Sequence, residues 1–593
     1  MIFCAPAFAL QAQGPVKAAP SQSRLDHREL AADQQVIHVL NRLTFGAKPG
    51  DVRRVRAIGV DAWIDQQLRP EKIDDSSLER FLANYDVLRQ DQSELLRQYA
   101  VAQRERRMVR REAGDTMGQG VGQRMSRDDS MAMREVALRR NQVAAQIQSS
   151  RVARAVAGNR QLEEVMTDFW LNHFNVFIRK GPPQAYYIVE YERDVIRPNS
   201  LGKFRDLLGG VAKSPAMLFY LDNARSMADS TRPRLTPAMR RRPNQLQRGG
   251  LNENYGRELL ELHTVGVDGG YTQQDVIDVA RALTGWTIRQ PTTGGGFVFR
   301  PEMHDAGEKV VLGRKLAAGR GIQDGEDVLD ILARHPSTAR YIATKLARRF
   351  VSDNPPKPLI DHAAAVFTRT DGDIREVVRA IVTSNEFFSR QAFRSKVKSP
   401  FEVVVSALRA LDAKPDASPR TAQAVAYLGQ PIYGHQAPNG YPETGESWMN
   451  TGAILNRINF GLAVAANRIP GARIETVPML DSLRSLDRAK QVEGVIALLL
   501  NGSASPDTRA TLLSGMNPLV AAAGKGDRPA ATASDADTGA EMMMETKAGQ
   551  TRDGRPRAAR RANPIGGGAA LPPLTGIAQV VGLALGSPEF QRR

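Results

Sequence analysis

One cysteine, Cys4, stands among 593 residues. Beyond it no thiol remains for a disulfide framework or a thiolate metal site. Histidine is scarce at eight residues, tryptophan at four, and aromatic side chains together make up 6%. Any cluster of imidazole and indole therefore stands out. No run approaches the ~20 apolar residues that a spanning helix needs. No Gly-x-Ser-x-Gly elbow, phosphate loop or dinucleotide fingerprint occurs in a fitting context, which disfavours serine-nucleophile and nucleotide chemistry.

What is present is a Leu/Ala/Arg-rich chain with 42% hydrophobic residues and a net charge of +17. The length allows two or more domains, or one large helical domain with insertions. The charge invites a reading as a binder of anionic polymer. Much of it sits in peripheral arginine-rich stretches, Arg104 to Arg111 and Arg232 to Arg248, and nucleic-acid binding is disfavoured. Met1 to Leu10 is a short apolar run, followed by a loose Ala/Pro/Ser stretch to Ser23. It is similar to the later part of a secretory signal peptide, although the basic leader is missing. The expectation is an exported protein, periplasmic or extracellular, with residues 1–28 signal-like or disordered.

Periodicity predicts a mainly α fold. Val36, Leu40 and Leu43 share a helix face, Gly46 to Gly50 is a turn, and helices follow from Asp51 and Val60. Residues 100–155 read as a partly ordered helical arm without chemistry, and 225–250 as a basic loop. Gln161 to Phe177 is amphipathic: Leu162, Val165, Met166, Phe169 and His173 on one side, Glu164, Asp168 and Asn172 on the other. Phe297 to Arg300 and Lys309 to Leu312 read as strands flanking a His304 turn, forming a small β-ribbon near residues 297–313. Helices resume at 327–333, 337–350, 373–383, 400–411 and 447–469. Residues 29–500 thus form a helical core domain with two insertions. Residues 501–570 read as a disordered linker, and 571–593 as a C-terminal helix packing back on the core. The stretches ending Ser384-Asn-Glu386-Phe387 and Ser587-Pro-Glu589-Phe590 echo each other, which reads as shared helix-cap chemistry rather than a duplicated docking element.

Rare polar and aromatic residues gather in five clusters. On a regular helix Asn254, Arg257, Glu258 and Glu261 share a stripe about 100° wide, a candidate binding wall or a salt-bridged surface. His263 lies about 140° from Glu258, so the two make poor co-ligands. His173 sits mid-face on its helix, as a core histidine or a catalytic imidazole. Neighbouring Asn172 suits a backbone or substrate group. His304, Asp305 and Lys309 in a turn suit an acid/base or anion site, but equally ordinary turn chemistry. Asp268 to Asp275 resembles half of a calcium loop; Thr272 and Asp275 read better as a capping box. His435, Asn439, Tyr441 and Trp448 decorate a rigid Pro/Gly loop of the kind that borders pockets or plugs a core. The candidate catalytic set is His173, Glu258, His304 and Asp305. The candidate binding set is Asn172, Asn254, Arg257, Glu261, Lys309, His435, Asn439, Tyr441 and Trp448. A divalent metal is the cofactor left open, with no ligand set defined.

Several ordered stretches carry a family resemblance. They are His38-Val-Leu-Asn-Arg-Leu-Thr-Phe-Gly46, Asp168-Phe-Trp-Leu-Asn-His-Phe174, Asn252-Glu-Asn-Tyr-Gly-Arg-Glu-Leu-Leu-Glu-Leu-His263 and Tyr271-Thr-Gln-Gln-Asp-Val276. Others are Ala282-Leu-Thr-Gly-Trp286, His304-Asp305 with Lys309, Ala339 to Leu346, Lys398-Ser-Pro-Phe401, and Pro438-Asn-Gly-Tyr-Pro442 with Trp448. With them the chain resembles the bacterial domain-of-unknown-function 1800 family from about Val36 onward. The resemblance implies an exported, mostly helical protein with no established activity and no catalytic set to carry over. It also implies a neighbouring gene for a secreted protein similar to the alkaline-phosphatase/sulfatase class. Gly256 departs from the pattern, where Ala is more usual.

Three readings follow. A binding or assembly protein would engage that co-encoded partner. An exported hydrolase, metal-assisted in one version, would bring His173, Glu258 and His304 to one void. A polymer binder would use the basic insertions. Oligomeric state is left open.

Overall fold

The computed structural model describes residues 28–97, 99–100, 127–229, 231–235, 250–289, 295–474, 477–516 and 574–593. The signal-like N-terminus, the basic stretches 104–111 and 236–248, and residues 517–570 of the expected linker lie outside them. Helices take up 59% of the described residues. The only sheets among the described residues are two antiparallel hairpins, so the fold is mainly α. No helix among these residues is long and apolar enough to cross a membrane.

Local sequence sets the helix starts. Ser399 and Glu402 form a capping box around Pro400 at the first turn of Pro400–Ala410, satisfying N–H groups that the helix itself leaves unpaired. Thr272 and Asp275 do the same for Gln273–Ala282, so the calcium-like loop is a cap. Ile374–Val382 starts at the Asp373 side chain and Thr451–Ala465 at that of Asn450. Ser384 and Ser587 each accept the N–H of the phenylalanine three residues on, which is the shared cap chemistry of the two echoing stretches.

One continuous apolar core runs from Leu30 to Phe590. Trp63, Trp170 and Trp286 are fully buried in it, each burial worth roughly 1.5–3 kcal/mol or more. The C-terminal helix Gly576–Gly586 lies along Thr451–Ala465 and Arg488–Leu499. Backbones meet at Gly461, where a Cβ would stand 2.6 Å from the Gly582 carbonyl. Beyond this helix the tail runs beside residues 396–398: Lys398 N–H donates to Gln591, and Arg593 N–H to Lys396, both at 2.9 Å.

Four expectations need correction. The helical arm is partly core: in Arg127–Ala157, Val143, Ile147, Val152 and Val156 are buried. Residues 501–570 are not linker throughout, because Pro506–Ser514 is a helix capped by Ser505. The Gln161–His173 helix is not half-solvated, since Glu164 and Asp168 are buried as well and face arginines. Finally, the β-ribbon is two ribbons. β1 (Trp286–Ile288) pairs with β2 (Phe297–Phe299), and β3 (Lys309–Val311) with β4 (Arg314–Leu316). Leu312 and Gly313 both take positive φ, 47° and 76°, the two-residue turn that closes a hairpin on itself.

Candidate functional site

Two of the five clusters, at 169–174 and 438–448, meet in a cleft between the Gln161–His173 and Pro400–Ala410 helices, the 430–448 loop and the C-terminal tail. It encloses about 830 Å³ when its solvent-open mouth is included. Three of the expected binding residues, Asn172, Tyr441 and Trp448, line it. Asn172 clamps the loop from both sides. Its amide donates to Tyr441 C=O at 2.9 Å and its carbonyl accepts Tyr441 N–H at 2.7 Å. Gly440 is required beneath that clamp, because a Cβ there would stand 2.3 Å from Asn172 O. Tyr441 O–H donates to Pro431 C=O and Trp448 Nε1–H to Pro442 C=O. Trp448 is thereby held, half-exposed, at the mouth. His435 and Asn439 contact each other at the exposed end of the loop.

The interior of the cleft is charged. Arg151 pairs with Asp168. Arg349 lies 3.5 Å from Asp168 and 2.9 Å from Glu402, and Arg593 lies 3.1 Å from Glu402. Three guanidiniums and two carboxylates thus alternate along one wall. Lys396 pairs with Asp353 at 2.5 Å and Lys345 with Glu443 at 3.2 Å. Burial alone would push Glu402 up; Arg593, Arg349 and the Ser399 N–H hold it down at about 2. Burial pulls Lys396 down to about 8, with Arg593 adding to the effect, although Asp353 opposes it. Both Asp168 and Glu402 are ion-paired, and Lys396 is the group on this wall that burial draws toward neutrality.

Of this wall, sequence reasoning named none. Arg151 sat in the stretch set aside as an arm. Asp168 was assigned to a solvated helix face, and Arg349, Lys396, Glu402 and Arg593 were not singled out. One signal was available: Asp168 stands between Val165, Met166, Phe169 and Trp170 on a helix with apolar residues nearly all round. Lys396 and Glu402 flank the Lys398-Ser-Pro-Phe401 motif.

The expected catalytic residues fall in separate places. His173 is buried, stacked beside Phe169 and facing His263, with Nε2 donating to His263 C=O at 3.2 Å. Its Nδ1 has no partner. Burial, then Lys345, hold His173 far below the usual histidine range, and His263 down at about 3. His304 is also buried, so it is not an accessible turn residue. Nδ1 faces Thr284 C=O at 2.8 Å and Nε2 faces Asp324 at 3.3 Å. Around it Arg281 holds Asp305 and Asp278. Lys309 Nζ bonds Asp305 C=O, Gly307 C=O and the Asp324 carboxylate. This network anchors both hairpins to the Gln273–Ala282 and Gln323–Ala333 helices.

Glu258 ends the Glu253–Glu258 helix, which continues as a π-helical turn, Leu259–Thr264. The regular stripe is therefore broken. Arg257 donates to Gln273 and Tyr271 to Glu261, so Arg257 and Glu261 do not pair with each other; Asn254 is exposed. Burial, then Glu261, raise Glu258 above the usual carboxylate range. Among the described residues no group of three or more His, Cys, Asp or Glu side chains could hold a metal ion.

Residues 38–592 match the family model described as a protein of unknown function, DUF1800. The chain belongs to this family. Neither a curated protein nor a solved structure matches it. Membership therefore brings no activity with it. The match covers the cleft residues from Arg151 to Trp448 and stops one residue short of Arg593.

Proposed function

We propose that the protein is an exported binding or assembly protein that engages a co-encoded secreted protein of the alkaline-phosphatase/sulfatase class. One observation carries this reading. Met449, next in sequence to the cleft residue Trp448, and Ile454 and Leu455, near the start of the Thr451–Ala465 helix that follows, are 37%, 40% and 40% exposed. Large apolar side chains grouped at the surface next to a cleft are what a protein interface uses. The placement of His173 and His304 in different buried networks adds support, since a histidine-based hydrolase needs its groups around one void.

The test is co-expression of the two proteins with the natural leader retained, followed by size-exclusion chromatography with light scattering. A complex of defined stoichiometry is expected. Two separate peaks at micromolar concentrations would remove this reading.

A further inference from the structure

We infer that the cleft is a carboxylate-binding site in which Arg349 and Arg593 receive the carboxylate of a ligand. This rests on the binding reading above only in taking the cleft as a recognition site.

The guanidinium group is a donor with no acceptor capacity, and a buried N–H without a partner is costly. The Arg593 side chain is 4% exposed, and its Nε and Nη1 have no hydrogen-bond partner; neither does Arg349 Nε. Both side chains line the cleft. The acids within reach are already shared: Asp168 lies between Arg151 and Arg349, and Glu402 between Arg349 and Arg593. On side chains alone the wall carries one positive charge more than it can pair. Arg593 also acts as a like-charge neighbour of Arg42, Lys396 and Lys398. A planar carboxylate matches the guanidinium fork. Phe169, Phe401 and Trp448 give the cleft flat apolar walls for the remainder of the ligand.

The other three tryptophans are buried away from solvent, so Trp448 serves as the reporter. The experiment is fluorescence titration of the full chain with four probes. Three carry carboxylates: acetyl-glutamate amide, a tripeptide with a free C-terminus, and glucuronate. The fourth is the neutral control, acetyl-glutamine amide. At least one carboxylate is expected to give a saturable change that disappears in Trp448→Phe. The neutral amide is expected to bind at least tenfold more weakly, and Arg593→Gln to weaken the carboxylate by tenfold or more. The best probe names the source: acidic side chain, chain terminus or acidic sugar. Absence of saturation with all three carboxylates, or an equal response to the amide, would overturn the inference. The acid-versus-amide comparison uses unaltered protein, so it stands even where Arg593→Gln fails to fold. Carboxylate binding without partner binding would remove only the assembly reading; partner binding without it would remove only this one.

Discussion

Lowering the pH from about 7.5 to about 5 should act on stability through His38, His173 and His263, which fold buried and neutral. Burial, then Arg42, lower His38 well below 6.5. A Phe387 backbone group comes near its ring, yet neither ring nitrogen makes a hydrogen bond of normal geometry. Its neighbours are Phe387, Phe388 and Phe393. A histidine whose folded pKa is depressed contributes stability that is complete above the unfolded value of 6.5. That stability is lost as pH falls from there toward the folded value, about 3 for His263. At about pH 5 each imidazole that stays neutral in the fold costs about 2 kcal/mol, from about 1.5 pH units at 1.36 kcal/mol each. Two carboxylates oppose this. Burial, then Glu164, push Glu163 up to about 7; burial, then Asp194, push Glu190 up to about 6. Both favour the fold as pH drops. The total change is therefore a difference, and a single substitution isolates one histidine. His38→Phe places a ring among rings and should shrink the stability difference between the two pH values by about 2 kcal/mol. Urea denaturation followed by circular dichroism reads it, and C2-hydrogen exchange by mass spectrometry reads the His38 titration directly. An unchanged pH dependence in the variant, or His38 titrating near 6.5, would refute the reasoning.

Further outcomes follow from the packing. Gly256→Ala should destabilise although Ala favours helices by about 1 kcal/mol, because its Cβ would stand 2.7 Å from Val276 O; a melting temperature at or above the parent's would contradict this. Lys309→Met removes three hydrogen bonds and leaves Asp324 short of a buried partner, at a cost of about 3–5 kcal/mol measurable by urea denaturation. Asn172→Ala should cost about 1–3 kcal/mol and raise amide exchange across residues 438–448, with the rest of the chain unchanged. Excess EDTA should leave the melting temperature unmoved, since His304 is occupied on both ring nitrogens and His173 on Nε2; a fall of several degrees would show a metal-dependent fold.

Helices and caps were legible because they are local. The 400–411 helix is visible as Ser399-Pro400 followed by Glu402, and 373–383 as Asp373 ahead of an apolar period. The strands at 297 and 309 were legible too, but their pairing was not. Pairing was decided by the Leu312-Gly313 turn and by Trp286, which starts the strand that pairs with Phe297–Phe299. The cleft was half legible. Tyr441, Trp448 and Asn172 lie in motifs dense in rare residues, so composition alone marks them. The charged wall came from elements far apart in sequence, where each arginine or glutamate looks like ordinary helical surface. Only the fold shows that Arg151, Arg349, Glu402 and Arg593 turn inward together. Histidine misled for the opposite reason: it is rare enough to notice, and the two that stood out most, His173 and His304, are buried in aromatic and ionic packing.

The most direct test of the Trp448–Leu455 surface as the working surface is the affinity for the proposed secreted partner, measured by interferometry on the parent chain and on Leu455→Ser. Leu455 is exposed and lies outside the buried networks. The account predicts a dissociation constant at least tenfold weaker for the variant, with circular dichroism and melting temperature unchanged. An affinity equal to that of the parent would place the interface elsewhere and contradict the account.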